Sequence, residues 1–281
     1  MKIAALADIH GNYQALITVI DHVERWKPDL VFVLGDIINR GPRSRDCLHL
    51  IQQKSESDSW QVITGNHEEY VLRFDSPNTA RAGKQFELLR IIHWTYQSLS
   101  PGDIQLVKDL PLEIETQLPG NQIVKAVHAS MGGIRVGIYP DFSRKEVLDL
   151  IQPDVNLFLV GHTHQPLIRT IGNTTVINAG SIGLPFDGDT RAGYAQITRE
   201  RSQWTGKIIR LEYDQEAAQQ DFFSTQFIPQ GGPLAELVLT EMKIGWPQLS
   251  HWFHRYEQAV LDHKIRVEDA VEQHLKNPNL K

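Results

Sequence analysis

The chain has 281 residues, 41% of them hydrophobic, with 34 acidic against 28 basic side chains and a formal net charge of -6. That length and apolar content can bury a substantial core, as one large domain or a domain with an appendage, which excludes a disordered chain. The acidic balance, without any Lys/Arg run, argues against long nucleic acid as a partner. Cys47, the single cysteine, excludes an internal disulfide framework and a thiolate-rich metal site; it reads as a small buried apolar residue and fits a reducing compartment. The opening apolar stretch, Met1 to Ala7, is too short for a signal peptide and no later window approaches a membrane span, so the expectation is a cytoplasmic protein without a membrane partner.

Residues 2–7 read as a short buried strand, after which Leu16, Val19, Ile20, Val23 and Trp26 fall at helical spacing on one face until Pro28. Residues 29–35 (Asp-Leu-Val-Phe-Val-Leu-Gly) form the continuous apolar run of a strand buried on both faces. Strand, helix and strand in that order, with a right-handed crossover, make the class α/β. Residues 60–64, 122–127 and 156–160 repeat the short-strand pattern, with helices expected over 81–99 and 144–151. From 174 to 211 the rhythm changes to short strands with Gly and Asp turns. Beyond that the pattern is helical, over 215–223, 233–244, 247–263 and 267–275. The expected organisation is a catalytic domain over 1–213 and a C-terminal helical extension over 214–281 packed on it.

Ligands of open α/β sheets bind beyond the carboxyl ends of the strands, and there the sequence sets its metal-capable side chains. Asp8-Ile9-His10 follows the first strand, Asp36 the second, Gly65-Asn66-His67-Glu68 the next; His128 ends the one after, and Gly161-His162-Thr163-His164 follows the strand ending at Val160. Side-chain alternation at a strand end would let Asp8 and His10, like His162 and His164, project to one side. Taken singly, a strand-end Asp is more often a helix N-cap and a lone His a core residue with one hydrogen bond. Gly-Asn-His-Glu or Gly-His-Thr-His should each arise by chance in on the order of one chain in a thousand, and finding both at strand ends sets the ensemble apart.

Together, Asp8-x-His10, Gly35-Asp36, Gly65-Asn66-His67-Glu68, His128 and Gly161-His162-Thr163-His164 resemble the motif series of the calcineurin-like metallophosphoesterases over roughly the first 200 residues. The resemblance implies a four-layer α/β/β/α sandwich of two mixed sheets with the helical appendage added. It implies one metal held by Asp8, His10, Asp36 and His164 and another by Asp36, Asn66, His128 and His162, with Asp36 bridging, a metal-bridging hydroxide as nucleophile, and His67 as the general acid that protonates the leaving oxygen. Two divalent cations set against two carboxylates leave a positive centre that draws a phosphate anion and lowers the pKa of bound water. The nitrogen and oxygen donor set suits manganese, iron, zinc, nickel or cobalt better than calcium, and manganese is the expected activating ion.

Gly35-Asp36-Ile37-Ile38-Asn39-Arg40-Gly41-Pro42 is similar to the Gly-Asp-x-x-Asp-Arg-Gly segment of serine/threonine protein phosphatases and symmetrical diadenosine tetraphosphatases, but Asn39 stands in place of the second Asp, Thr64 in place of Arg and Ala129 in place of Gly. A neutral Asn39 raises the pKa of His67 less than a carboxylate would. Arg40 and Arg43 are candidate phosphate contacts, because a guanidinium matches phosphate in a two-pronged fashion, although loop arginines are commonly just solvated. Asn178-Ala179-Gly180-Ser181-Ile182-Gly183 resembles a family turn that supports the loop beneath the histidine pair, and the tail from Leu211-Glu212-Tyr213-Asp214 resembles those of asymmetrical diadenosine tetraphosphate hydrolases. The expected substrate is therefore a small phosphorylated molecule, a dinucleoside polyphosphate or another nucleotide. The alternatives are a protein phosphatase and a non-catalytic scaffold, the latter disfavoured because every ligand position is filled. Trp246 and Trp252 would pack on the catalytic domain or mark a homo-oligomer interface, and His251, His254, His263 and His274 read as helix packing because no Asp or Cys completes a ligand set.

Overall fold

The computed structural model describes residues 1–201 and 203–276. The opening unit is β1 (Lys2–Leu6), α1 (Tyr13–Trp26), β2 (Leu30–Val33), α2 (Ser44–Asp58), β3 (Gln61–Val62), α3 (Asn66–Leu72), α4 (Gly83–Ser98) and α5 (Pro101–Asp109). There follow β4 (Glu113–Leu118), β5 (Gln122–Val127), α6 (Arg144–Leu148), β6 (Leu157–Val160), β7 (Leu167–Ile171), β8 (Thr174–Asn178), β9 (Ala192–Glu200) and β10 (Gln203–Leu211). Helices α7 (Gln215–Ser224), α8 (Phe227–Gly231), α9 (Leu234–Ile244), α10 (Leu249–Leu261) and α11 (Val267–Leu275) complete the described chain.

The strands form two five-stranded mixed sheets, in the orders β10-β9-β1-β2-β3 and β4-β5-β6-β8-β7. Period-two alternation in β1 explains the layering: Ile3 and Ala5, with Ala7 just beyond, face Val124, Ala126, Leu157 and Leu159 of the second sheet, while Ala4 and Leu6 face Leu16, Val19 and Val23 of α1. Because both faces are covered, the strands read as unbroken apolar runs. Beyond the second sheet, Phe158 and Val160 pack under Val147 of α6, giving the fourth layer of the expected sandwich. The C-terminal helices build a further core around Phe227, Leu237, Trp252 and Val271, into which α4 sends Leu88 and Ile91.

Several boundaries differ from the sequence expectation. Helix α1 ends at Trp26 because Lys27 turns left-handed, at φ 55°, one residue before Pro28. Helix α6 is cut to five residues, and β9 and β10 run nine residues each rather than as short strands. Helix α2, whose buried face holds only Ser44, Cys47, Leu48 and Ile51, carries too weak a periodicity to be expected. Trp252 is fully buried among the C-terminal helices and Trp246 lies against the turn at Gly188. Among the described residues no helix is long and apolar enough to cross a membrane.

Candidate metal centre

Three strand ends, those of β1, β2 and β6, deliver their side chains through left-handed backbone. Among the described residues thirteen non-glycine positions have positive φ, and seven of them are Asp8, His10, Asp36, Asn39, Arg40, His162 and His164. Such backbone costs on the order of 1 kcal/mol per residue, and its clustering marks a functional site. Strand alternation is therefore not what aims Asp8 with His10 or His162 with His164; the bends beyond the strand ends do so. Tight packing holds these bends: a Cβ at Gly41 would come 1.9 Å from the His10 carbonyl, and one at Gly183 would come 1.9 Å from that of Ile9. Ser181 Oγ donates to the Asp8 carbonyl at 2.7 Å, and Asn178 Nδ2 donates to the Gly161 carbonyl at 2.8 Å.

Two groups of ligand-capable atoms result. In Asp8, His10, Asp36 and His164, and again in Asp36, His128 and His162, one atom per residue lies within 4.8 Å of the others. Asp36 belongs to both. Its Oδ1 accepts the His67 backbone N–H at 2.8 Å, leaving Oδ2 at 3.6 Å from His10 Nε2 and 3.4 Å from His128 Nε2, one imidazole from each group. Asn66 joins the second group, its Oδ1 at 3.0 Å from His128 Nε2 and 2.8 Å from His162 Nδ1.

The donor chemistry fits metal ions. His128 Nδ1 donates to the Leu34 carbonyl at 2.7 Å and His164 Nδ1 to that of Leu184, which turns Nε2 of both rings inward; a metal ion there would take the place of the proton on His128 Nε2, and the lone pair of His164 Nε2 is already free for it. The Nε2 atoms of His10 and His164 stand 3.1 Å apart, and Asp8 Oδ1 and His10 Nδ1 are buried without a hydrogen-bond partner. Acceptors crowded together in this way require either added protons or a cation between them. The protonation preferences say the same. Burial pushes Asp8 well above the usual carboxylate range. Against the opposing effect of burial, the neighbouring His128 and His67 hold Asp36 well below it, and the Asp36 carboxylate raises His128 to about 10. Burial lowers His10 and His164 well below the ordinary histidine value and His162 to about 4, which keeps those rings neutral and available as ligands.

Glu68, which carries no sign of this role in the sequence, is fully buried and braces the Asp36 loop. Its Oε2 accepts backbone N–H groups of Asp36 at 2.9 Å and Gly65 at 2.7 Å, while Oε1 accepts those of Ile37 at 2.8 Å and Ile38 at 3.1 Å. Burial, then the Asp36 charge, pushes Glu68 up to about 7 against the Ile38 and Gly65 N–H donors. His67 is half-buried on the cleft, and burial lowers it to about 3. Asn39 Oδ1 accepts the Arg40 N–H at 2.8 Å, which orients its Nδ2 to donate to His67 Nδ1 at 2.8 Å. The His67 proton consequently belongs on Nε2.

The two arginines part company. Arg40 lines the cleft, with Nη1 2.9 Å from Glu241 Oε2 on α9 and its guanidinium carbon 5.8 Å from the ring of Phe186, which in turn stacks on His164 at 4.3 Å. Arg43 is absent from the cleft lining; it pairs with Asp46 and with Asp221 at 3.1 Å and lies over Tyr13. Glu241 accepts the N–H groups of Gln248 and Leu249, both on Oε1 at 2.8 Å, so this fully buried carboxylate ties the helical extension to the cleft.

Residues 1–166 match the calcineurin-like phosphoesterase family. An uncharacterised protein of Methanocaldococcus jannaschii is 27% identical over 229 residues, 75% of this chain and 88% of that one. A symmetrical bis(5'-nucleosyl)-tetraphosphatase of Salmonella arizonae is 37% identical over 68 residues, 24% of this chain, so the match spans only 23% of that enzyme. Among solved structures, a metallophosphoesterase from Sphaerobacter thermophilus superimposes with a TM-score of 0.66 at 26% identity, covering 87% of this chain and 100% of that one. A hypothetical protein from Pyrococcus horikoshii shares the fold with a TM-score of 0.74 at 20% identity, covering 88% and 99%. Since that family match encloses every residue from Asp8 to His164 that forms the two clusters, the chain belongs to the calcineurin-like phosphoesterases and is a metal-dependent hydrolase.

Proposed function

We propose that the chain hydrolyses phosphoester or phosphoanhydride bonds of a small nucleotide, a dinucleoside polyphosphate among them, with two divalent transition-metal ions, manganese in the active form. The position of Asp36, with one carboxylate oxygen facing an imidazole of each group, supports this reading above all. Asp8, His10, Asp36 and His164 would hold one ion, and Asp36, Asn66, His128 and His162 the other. Bound there, the ions would neutralise phosphate charge and lower the pKa of water to the neutral range.

The chain's own residues supply the remaining functions. Glu68 fixes the Asp36 loop so that the bridging carboxylate does not rotate away. Asn39, by donating to Nδ1, holds His67 in the tautomer whose Nε2–H faces the cleft and can donate to the leaving oxygen. Arg40, on the same cleft, offers its guanidinium to a phosphate oxygen, and its buried Nε has no partner within the protein.

The deciding experiment reconstitutes metal-free protein with manganese, iron, zinc, nickel or cobalt. It follows p-nitrophenyl phosphate, its bis ester, diadenosine tetraphosphate and a phosphopeptide, with chromatographic separation of products. Nucleotide turnover above phosphopeptide turnover is expected, and Asp36→Asn should abolish it along with binding of one equivalent of metal. Wild-type turnover and full metal content in Asp36→Asn would sink the dinuclear centre; inactivity on every substrate with every metal would leave a scaffold.

A further inference from the structure

The cleft above the metal centre encloses about 560 Å³, a volume suited to a small organic ligand, and its two ends differ in chemistry. The floor is polar, built from the metal-facing side chains. The upper walls are not: α4 contributes Leu89 and Ile92, while the C-terminal helices contribute Leu234, Leu249 and Phe253. Ile92, Leu89 and Phe253 are only partly buried, so they present apolar surface to the cleft.

Charge in the walls is sparse. Arg40, held by Glu241, stands over the floor, where it serves the phosphate next to the metal centre and not the upper walls; there Arg73 lies over the Tyr70 ring at 4.8 Å, and Glu257 is acidic. A chain of several phosphates leaving the floor would pass greasy side chains and a carboxylate, with Arg73 as the cleft cation not paired to an acid among the described residues. Such a chain would lose hydration there and meet only Arg73 as an unpaired cation among the described residues of the lining, against the acidic Glu257. A flat, uncharged ring would instead exchange water for Leu89 and Phe253, and an apolar ring burying on the order of 100 Å² gains roughly 2–3 kcal/mol, a factor of ~30 to 150.

We propose that the helical extension and α4 together form a seat for an uncharged ring, so that this enzyme selects phosphoesters carrying one bulky aromatic or nucleoside group and few phosphates. This rests on the phosphoesterase reading above and narrows it. Phe253 and Leu89 are the specificity-determining residues.

The test measures binding rather than turnover, so leaving-group chemistry does not enter. Calorimetric titration of the manganese-loaded full chain compares methylphosphonate, 1-naphthylmethylphosphonate, the phosphonate analogue of adenosine monophosphate, orthophosphate and tripolyphosphate. The two ring-bearing phosphonates should bind at least 30-fold tighter than methylphosphonate, and tripolyphosphate within 3-fold of orthophosphate. Phe253→Asp should reduce the naphthyl preference to within 3-fold. Should that variant fold poorly, Ser250→Trp, at an exposed position on the cleft lining, should do the same by filling the seat. Equal binding of methyl and naphthyl compounds, or tripolyphosphate binding more than 30-fold tighter than orthophosphate, overturns the seat even if phosphoesters are turned over. Ring selectivity without hydrolysis of any ester would instead keep the seat and overturn the enzymatic reading.

Discussion

Arg40→Met strands a carboxylate that has no access to water. The Glu241 side chain is 0% exposed and that of Arg40 14%, with 2.9 Å between their charged atoms. Breaking a buried pair by removing one partner typically costs 3–5 kcal/mol. Glu241 keeps two backbone N–H donors on Oε1, which partly compensates the charge, so the lower end applies, about 3 kcal/mol. At roughly 2–3 °C per kcal/mol for a chain of this size, the melting temperature should fall by about 6–9 °C. Glu241→Gln should cost less, about 1–2 kcal/mol, because its amide oxygen can keep both backbone bonds and the abandoned guanidinium faces the cleft, where water reaches it. The double variant Arg40→Met/Glu241→Gln removes both charges and should be more stable than Arg40→Met alone, a coupling of at least ~1.5 kcal/mol. Urea unfolding of the four proteins, with equal m-values as the check on two-state behaviour, completes the cycle. Additivity within ~0.5 kcal/mol, or a melting point of Arg40→Met within 2 °C of the parent, would refute the reasoning.

His67→Ala should retain the parent's metal content and lose more rate on an alkyl phosphoester than on p-nitrophenyl phosphate, whose leaving group needs little protonation, while Asn39→Asp, which places a carboxylate at His67 Nδ1, should shift that ratio the other way. Equal losses on both substrates would remove His67 from the leaving group. Asp103 accepts from Arg45 at 2.9 Å and His49 at 2.6 Å; although burial opposes it, the His49 and Ser100 hydrogen bonds hold it down at about 2. Its folded pKa lies below the unfolded value, so its contribution is nearly complete above about pH 4 and is lost as pH falls toward 2. Asp103→Asn should flatten the stability profile in that window only, and an unchanged profile on acid titration would count against the assignment. A chain stopped after Tyr213 uncovers Leu88, Ile91, Leu184 and Phe186 together and should be insoluble or bind an apolar dye; a soluble, dye-silent 1–213 fragment would show that the helices are dispensable for folding.

The α/β class was legible because β1 and β2 are buried on both faces and so leave an unbroken apolar signature, while the four-layer sandwich was implied only by the family resemblance that the ligand-type residues at strand ends carry. What escaped the sequence lacks a local mark. Helix α2 carries a polar run, Gln52 to Glu56, over a narrow buried face. Helix α5 is the exception, since Ser100-Pro101-Gly102-Asp103 carries the residue pattern of a helix start and its side chains cap reciprocally. Glu68 braces residues some thirty positions earlier, and Glu241 reaches Arg40 across 201 positions, so no window of sequence joins either pair. Arg43 was drawn toward phosphate by its neighbourhood in the motif, yet Asp46 and Asp221 claim it.

The left-handed bends at Asp8, His10, Asp36, His162 and His164 are kept in place by packing and by backbone contacts such as those from Glu68 and Ser181. Their conformational cost is therefore met when the chain folds, not when an ion arrives. A cradle shaped beforehand in this way cannot contract or expand freely around its guest, and so the radius and coordination habit of the ion, more than the flexibility of the loops, should decide which metals this protein retains.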